Sequence, residues 1–352
     1  MFCVLASVMT ALAAFCAVGC KDAVEGETTV YMPDGAPALA FARLMSEDKE
    51  DDGISYFVVD PTTIASRVTN KDEEKNADFC VLPLNAASKL LGTGEQYAML
   101  GTLTHGNLYL VAKEGEYASD NLSTLLGKTV GVLKINDVPG LTLKAVLNQY
   151  QLPWQEVGND GAVAADKVNL LAIAGADAVG ATDGEGKPLA DCYMIAEPAA
   201  TAQKKKGYSI VGDLQKLYRA ESDGGDNGEN SGYKGYPQAV LVAKREFVDE
   251  EENAEFTRDF VEKIAQSVVW TTTASGEEIV AAVGGHMADK NAQTSLKAPL
   301  LTSDVIARCG LRFAYAAENK EEVNGFLTAL IAVNNKAAKM PAEAFFWTET
   351  RD

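Results

Sequence analysis

Four short stretches of this chain place a carboxylate or amide side chain between an apolar, strand-like run and a helix start. They are Asp34, ahead of Gly35-Ala36-Pro37; Asn85, after Leu84; Asn136 and Asp137, ahead of Val138-Pro139; and Glu197, ahead of Pro198. A helix start carries backbone N–H groups that no carbonyl of its own helix can satisfy, so each turn offers donors beside one polar side chain. Helix capping explains any single member. As a set, they describe a polar rim suited to a small molecule at one edge of a sheet. The residue types also admit an enzyme, with Asp34, His105 and Glu197 as candidate acid and base groups. His105 is one of two histidines in the chain, and a structural role is equally open to it. His286, after Gly284-Gly285, is expected in a loop and is assigned no role. No GxSxG occurs and no serine stands in a nucleophile turn, which disfavours a serine hydrolase.

The elements that must position these turns are legible from periodicity. Residues 28–32, 54–59, 77–84, 108–111, 129–133, 191–196 and 239–243 are short apolar, β-branched runs that predict strands. Pro37 opens a helical pattern through Leu39, Phe41, Leu44 and Met45, and Asn85 is placed to cap a short helix ending before Gly92. Pro139 opens a helix through Val146 and Leu147 to Tyr150. The helix after Glu197-Pro198 ends in Lys204-Lys205-Lys206 and Gly207, a basic last turn with a left-handed exit. Beyond residue 243 the pattern is mostly helical, and Phe256, Phe260, Ile264 and Val268 recur every four residues. Residues 221–232 form a polar, Gly-rich loop whose spacing misses the calcium-loop pattern. Strands alternating with helices through short turns predict an α/β protein with largely parallel sheets, whose ligands sit outside the carboxyl ends of the strands.

Composition narrows the function classes. With 31 Lys and Arg against 50 Asp and Glu, the formal charge is −19, and 47% of the 352 residues are apolar. A surface this acidic repels phosphate backbones, so nucleic-acid binding is excluded as an expectation. Residues 4–18 are almost wholly apolar, too short for a standard membrane span, and end in Ala17-Val18-Gly19-Cys20 before Lys21-Asp22. Small residues before one cysteine resemble the lipobox of a bacterial lipoprotein signal peptide; a buried N-terminal helix is the alternative. The resemblance implies cleavage before Cys20, a lipid on its thiol, and a protein tethered at the extracytoplasmic face of the cell membrane. Of six cysteines, that leaves Cys80, Cys192 and Cys309, widely spaced and without CxxC or His/Cys clusters. Neither a zinc site nor a disulfide framework is expected, and Cys80 and Cys192 read as small core residues.

The lipobox, YMPDGAPALA, ADFCVLPLNAASKLL, GKTVGVLKINDVPGLTLKAVL and IAEPAAT together resemble an ABC-importer substrate-binding lipoprotein. The nearest group is the one of thiamine-pyrimidine-precursor, alkanesulfonate and nitrate binders. The resemblance implies a two-lobed α/β fold of type II periplasmic-binding-protein kind, with two crossover strands forming a hinge. Residues 1–19 would be the signal peptide and 20–27 a tether. Lobe one would combine 28–107 with 241–352, and lobe two would be 108–240. Carried over by position, the cleft is lined by Asp34, Gly35, Ala36, Leu84, Asn85, Thr104, His105, Asn136, Asp137, Val138, Glu197 and Gln238. The cysteine-rich motif of the pyrimidine-precursor binders is missing, and no Arg stands in these turns to clamp a sulfonate bidentately. The reading therefore leans to a neutral or partly cationic, heterocyclic solute, with no cofactor and no metal. The partners expected are that solute and a membrane permease, for a monomeric protein that binds without chemistry. Pyrimidine-synthase-like or menaquinone-dehydratase-like enzymes, and a sensor presenting its solute to a receptor, are the alternatives on the same fold.

Overall fold

The computed structural model describes residues 27–48, 53–113, 121–158, 161–218 and 235–348. The expected signal stretch, Cys20 and the polar loop at 221–232 lie outside the described residues. Strands β1 (Thr28–Pro33), β2 (Ile54–Val59), β3 (Phe79–Pro83) and β4 (Tyr97–Thr104) come first. The chain then crosses to β5 (Leu108–Lys113), β6 (Thr129–Leu133), β7 (Trp154–Val157), β8 (Val168–Ile173), β9 (Cys192–Ala196) and β10 (Tyr208–Asp213). It returns for β11 (Ala239–Lys244) and β12 (Leu311–Tyr315). Among the described residues these form two six-stranded sheets, ordered β12-β4-β11-β3-β1-β2 and β10-β5-β9-β6-β8-β7. Central strands such as β3, β4 and β11 are buried along nearly their whole length, which is why they read as continuous apolar runs.

Strand direction fixes where a site can lie. β1 runs parallel to β2 and β3, and β11 is antiparallel to both β3 and β4. The carboxyl ends of β1 to β4 therefore share one edge, and β11 enters the sheet at that edge. In the second sheet β6, β7, β8 and β9 are parallel, and β5 is antiparallel to β9 with Leu108 opposite Ala196. β5 thus begins at the carboxyl edge of its own sheet. Three residues, 105–107, separate β4 from β5, so the two carboxyl edges are held face to face across the crossovers.

A small group of side chains knits the crossovers together. The Oε1 atom of Gln215 accepts from the Leu108 N–H (2.8 Å) on the first connection and from the Tyr236 hydroxyl (3.0 Å) on the second. The Tyr236 ring stacks on Phe326 (5.1 Å between centroids), and Tyr218 meets both edge-on. Phe326 lies on the helix Ala316–Val333, which packs against the helix Val138–Gln149 of the other sheet's layer. Val323, Phe326, Leu327 and Leu330 share one buried cluster with Leu143, Val146 and Leu147. Gly106 sits beneath this group at φ 81°, where a Cβ would lie 2.7 Å from the Tyr236 ring. Only glycine adopts that conformation without strain and also leaves the ring its space.

Several expected elements differ. The helix expected from Pro37 through Met45 is two short pieces, Ala36–Leu39 and Ala42–Glu47, with Phe41 between them buried near Phe260 (6.4 Å). Asn85 does not cap its helix; Pro83 holds that position, and Asn85 is the second residue of Leu84–Leu90. The largely helical carboxyl third also contains β12, an edge strand that covers half of β4. Trp347 N–H covers the other half by donating to Met99 O (2.9 Å). His286 ends the helix Gly276–Gly285, with Nε2 2.9 Å from Asp48 Oδ2 and Nδ1 2.7 Å from Ala282 O. Gly106→Ala is predicted to cost at least about 2 kcal/mol, the sum of backbone strain and the ring clash. A drop in the urea midpoint at unchanged slope checks this.

Candidate functional site

The four polar turns separate evenly between the sheets. Asp34 and Asn85 follow β1 and β3, while Asn136, Asp137 and Glu197 follow β6 and β9. All five therefore stand at the two facing carboxyl edges. Their side chains are not equally available. The Thr294 hydroxyl donates to Asp34 Oδ1 (2.6 Å) and the Ser295 N–H to Oδ2 (2.7 Å). Asp34 thereby pins a distant loop to the rim. Gly35 follows at φ 107°, and Ala36 is buried as the first residue of its helix. Leu84 is fully buried, and its N–H donates to Gln238 O (2.9 Å). Asn85 turns into the protein, donating to Ala337 O (3.3 Å).

Glu197 is the most constrained group at this edge. Its N–H donates to Asn107 O (2.9 Å), which locks the end of β9 to the first crossover. Its carboxylate accepts from the Thr201 hydroxyl (2.7 Å), the Thr201 N–H (2.9 Å) and Arg308 Nε (2.8 Å). Arg308 Nη2 also donates to the Thr201 hydroxyl (2.9 Å). Arg308 lies just before β12, so this ion pair bridges the two sheets' layers. The Tyr109 hydroxyl on β5 donates to the Arg308 carbonyl (3.0 Å), a second bridge. Burial, reinforced by Asp213, pushes the Tyr109 phenol well up, which keeps that donor protonated. The Glu197 side chain is 0% exposed and that of Arg308 32%, so the carboxylate depends on its guanidinium partner far more than the reverse.

The loop after β6 is shaped from below. Lys134 takes φ 48°, and its carbonyl accepts the Asp137 N–H (2.9 Å). The buried Lys144 donates to Ile135 O (3.0 Å) and to Glu156 Oε1 (2.6 Å). Asn136 and Asp137 are exposed, Val138 is buried, and the Asp137 side chain makes no cap bond although it occupies the N-cap. Across the gap, the Thr62 hydroxyl and amide hold the Asp60 carboxyl below the usual carboxylate range, and Lys134 adds a smaller pull in the same direction.

Three polar atoms at the crossovers stand apart. Thr104 Oγ1, Asn107 Oδ1 and Gln238 Oε1 are buried and have no hydrogen-bond partner among the described residues. Thr104 is 1% and Asn107 5% exposed, and Gln238 is half-buried. Their backbones interlock, because the Gln238 N–H donates to Thr104 O (2.9 Å) and Ala239 pairs with Thr104. His105 lies between them in the chain, buried, with its N–H donating to Gly310 O (2.8 Å). Sequence reasoning singled out Thr104, His105 and Gln238 but not Asn107, Thr201, Gln215, Thr294 or Arg308. Of these only Asn107 carried a local signal, a Gly-Asn pair immediately before a strand.

Cys80, Cys192 and Cys309 are buried free thiols, pushed up by burial, and none is a thiolate nucleophile. Among the described residues no group of three or more His, Cys, Asp or Glu side chains is placed to hold a metal ion. No helix among them is long and apolar enough to cross a membrane.

No protein-family model and no curated protein sequence matches the chain. Solved structures do. An ABC transporter protein from Parabacteroides distasonis superposes with a TM-score of 0.66 at 20% identity, covering 93% of this chain and 100% of that one. The periplasmic aliphatic sulphonate binding protein SsuA of Escherichia coli gives 0.64 at 14% identity, covering 93% and 94%. The alkanesulfonate-binding protein SsuA of Xanthomonas axonopodis pv. citri, bound to MOPS, gives 0.56 at 12%, covering 93% and 99%. The chain has the two-lobed α/β fold of ABC-transporter substrate-binding proteins, of type II periplasmic-binding-protein kind.

Arg308→Met is predicted to destabilise the protein by about 3 kcal/mol, because it leaves the buried Glu197 charge unpaired. Glu197→Gln should cost less, about 1 kcal/mol, since the amide keeps part of the bonding to Thr201. Urea denaturation of both variants checks the order; a Glu197→Gln variant weaker than Arg308→Met would contradict it.

Proposed function

We propose that the chain is the extracytoplasmic solute-binding lipoprotein of an ABC importer. It captures a small molecule between its lobes and delivers it to a membrane permease, without chemistry. The observation that carries this reading is the junction of the two carboxyl edges, where Thr104, Asn107 and Gln238 leave buried polar atoms unpaired. A buried polar group without a partner costs about 1–3 kcal/mol, and a solute seated at this junction would supply the missing bonds. Lobe one is taken as 28–107 with 241–352 and lobe two as 108–240, β11 beginning two residues before that boundary. Closure about residues 105–107 and the Tyr236 connection would bring Asp34, Gly35, Asn136, Asp137 and Val138 together over the solute.

The binding reading is favoured over the enzyme because Asp34 and Glu197 are both already bound by protein donors. A general base must reach its substrate proton, and neither carboxylate is poised to do so. The two sulfonate-binding neighbours make a sulfonate the rival solute; here Arg308 has two of its nitrogens engaged by Glu197 and Thr201.

Every described element lies within 27–348, so protein beginning at Lys21 carries the whole described fold. A thermal-melt screen of that protein against pyrimidines, flavins, purines, sulfonates, amino acids and oxyanions tests the proposal. A solute at 100 times its Kd adds about 2.7 kcal/mol, a shift of a few degrees for a chain of this length. A single chemical class raising the melt is the expected result, and no shift from any class counts against binding. For the anchor, Cys20→Ser is predicted to move the protein from the membrane fraction to the soluble fraction in a bacterial host.

A further inference from the structure

Building on the solute-binding reading, we propose that the cleft selects an uncharged solute presenting N–H or O–H donors, such as an amide, a ureide or a nitrogen heterocycle, and rejects simple anions. The argument begins with Asn107. Its Nδ2 donates to Glu197 O (3.3 Å). Exchanging the amide's oxygen and nitrogen would set two acceptors against each other, so the unpaired atom is an oxygen that only a donor can satisfy. Thr104 Oγ1 and Gln238 Oε1, neighbours through the Gln238 N–H to Thr104 O bond, are both able to accept as well. A carbonyl-like oxygen buried at 5% residue exposure repels an approaching sulfonate, nitrate or sulfate oxygen.

The charges around these atoms are answered by the protein itself. Glu197 is paired with Arg308. Asp34 is held by Thr294 and Ser295. Asp60 is held by the Thr62 amide and hydroxyl. Among the described residues beside Asn107, an entering anion meets no uncommitted guanidinium and a buried cation meets no uncommitted carboxylate. Burying either charge without a partner is far more costly than burying a neutral polar group. An uncharged donor satisfies the junction without that cost.

The first arm of the test needs no ligand. Thr104→Val and Gln238→Met keep side-chain shape while deleting the unpaired oxygens, so each should raise the melting temperature of the ligand-free protein by about 1–3 °C. A lowered melt in both would overturn the premise that these atoms are unpaired.

The second arm compares uracil, cytosine, hydantoin and nicotinamide with ethanesulfonate, nitrate and sulfate, all at 10 mM. At least one neutral compound is expected to raise the melt by several degrees in the wild type. The shift should fall by half or more in Thr104→Val and Gln238→Met, and no anion should produce one. An anion that raises the melt, with the shift lost in the variants, overturns the proposed class while leaving the solute-binding site standing. A neutral shift unchanged in both variants removes the site itself, and no shift from any compound overturns the class and leaves the binding reading without support.

Discussion

One amide oxygen holds the two chain crossings in register. Gln215 Oε1 takes a hydrogen bond from the Leu108 N–H and another from the Tyr236 hydroxyl, and it does so in a fully buried setting. Its own Nε2 is fixed by Asp213 Oδ1 (3.0 Å), which also caps the short helix carrying Gln215. With both lone pairs of the oxygen used, the first and second crossovers cannot slide past each other without breaking a buried bond. Strand direction and the three-residue connection set the two carboxyl edges face to face, and this bonded oxygen ties the two crossovers that span them.

The same economy governs charge. The chain is strongly acidic, yet Glu197 and Asp34 each have defined partners from elsewhere in the fold. Glu197 survives burial because Arg308 and Thr201 surround it, and Asp34 is tied to the Thr294 hydroxyl and the Ser295 N–H. These groups shape and brace the rim. The atoms left over belong to neutral side chains on the crossovers, Thr104, Asn107 and Gln238. On the proposed reading, a hinge that is itself the polar seat would couple solute capture to lobe position, since the proposed binding atoms are on the crossover segments.

Much of this architecture is legible in the sequence. β6 matches its run TVGVL at both ends, and β9 and β11 match within a residue, because a strand buried on both faces is written as an uninterrupted apolar word. β12 (LRFAY) was illegible for the opposite reason: it is an edge strand, only half-buried, with an arginine in a five-residue span. β4 carries Gly101 in its interior, which reads locally as a break. The polar turns announced their positions but not their partners. Thr294 lies 260 residues from Asp34 and Arg308 lies 111 from Glu197, separations over which no periodicity carries information. Asn107 was passed over because an amide after glycine ordinarily signals a turn and nothing more.

The most direct measurement of the central claim is hydrogen–deuterium exchange on the protein with and without the first solute that raises its melting temperature. The account predicts slowed exchange in four places at once: residues 102–110 and 236–240 on the crossovers, and 134–140 and 196–203 on the facing rim. Protection confined to one sheet's layer, or lying away from the crossovers, would contradict it.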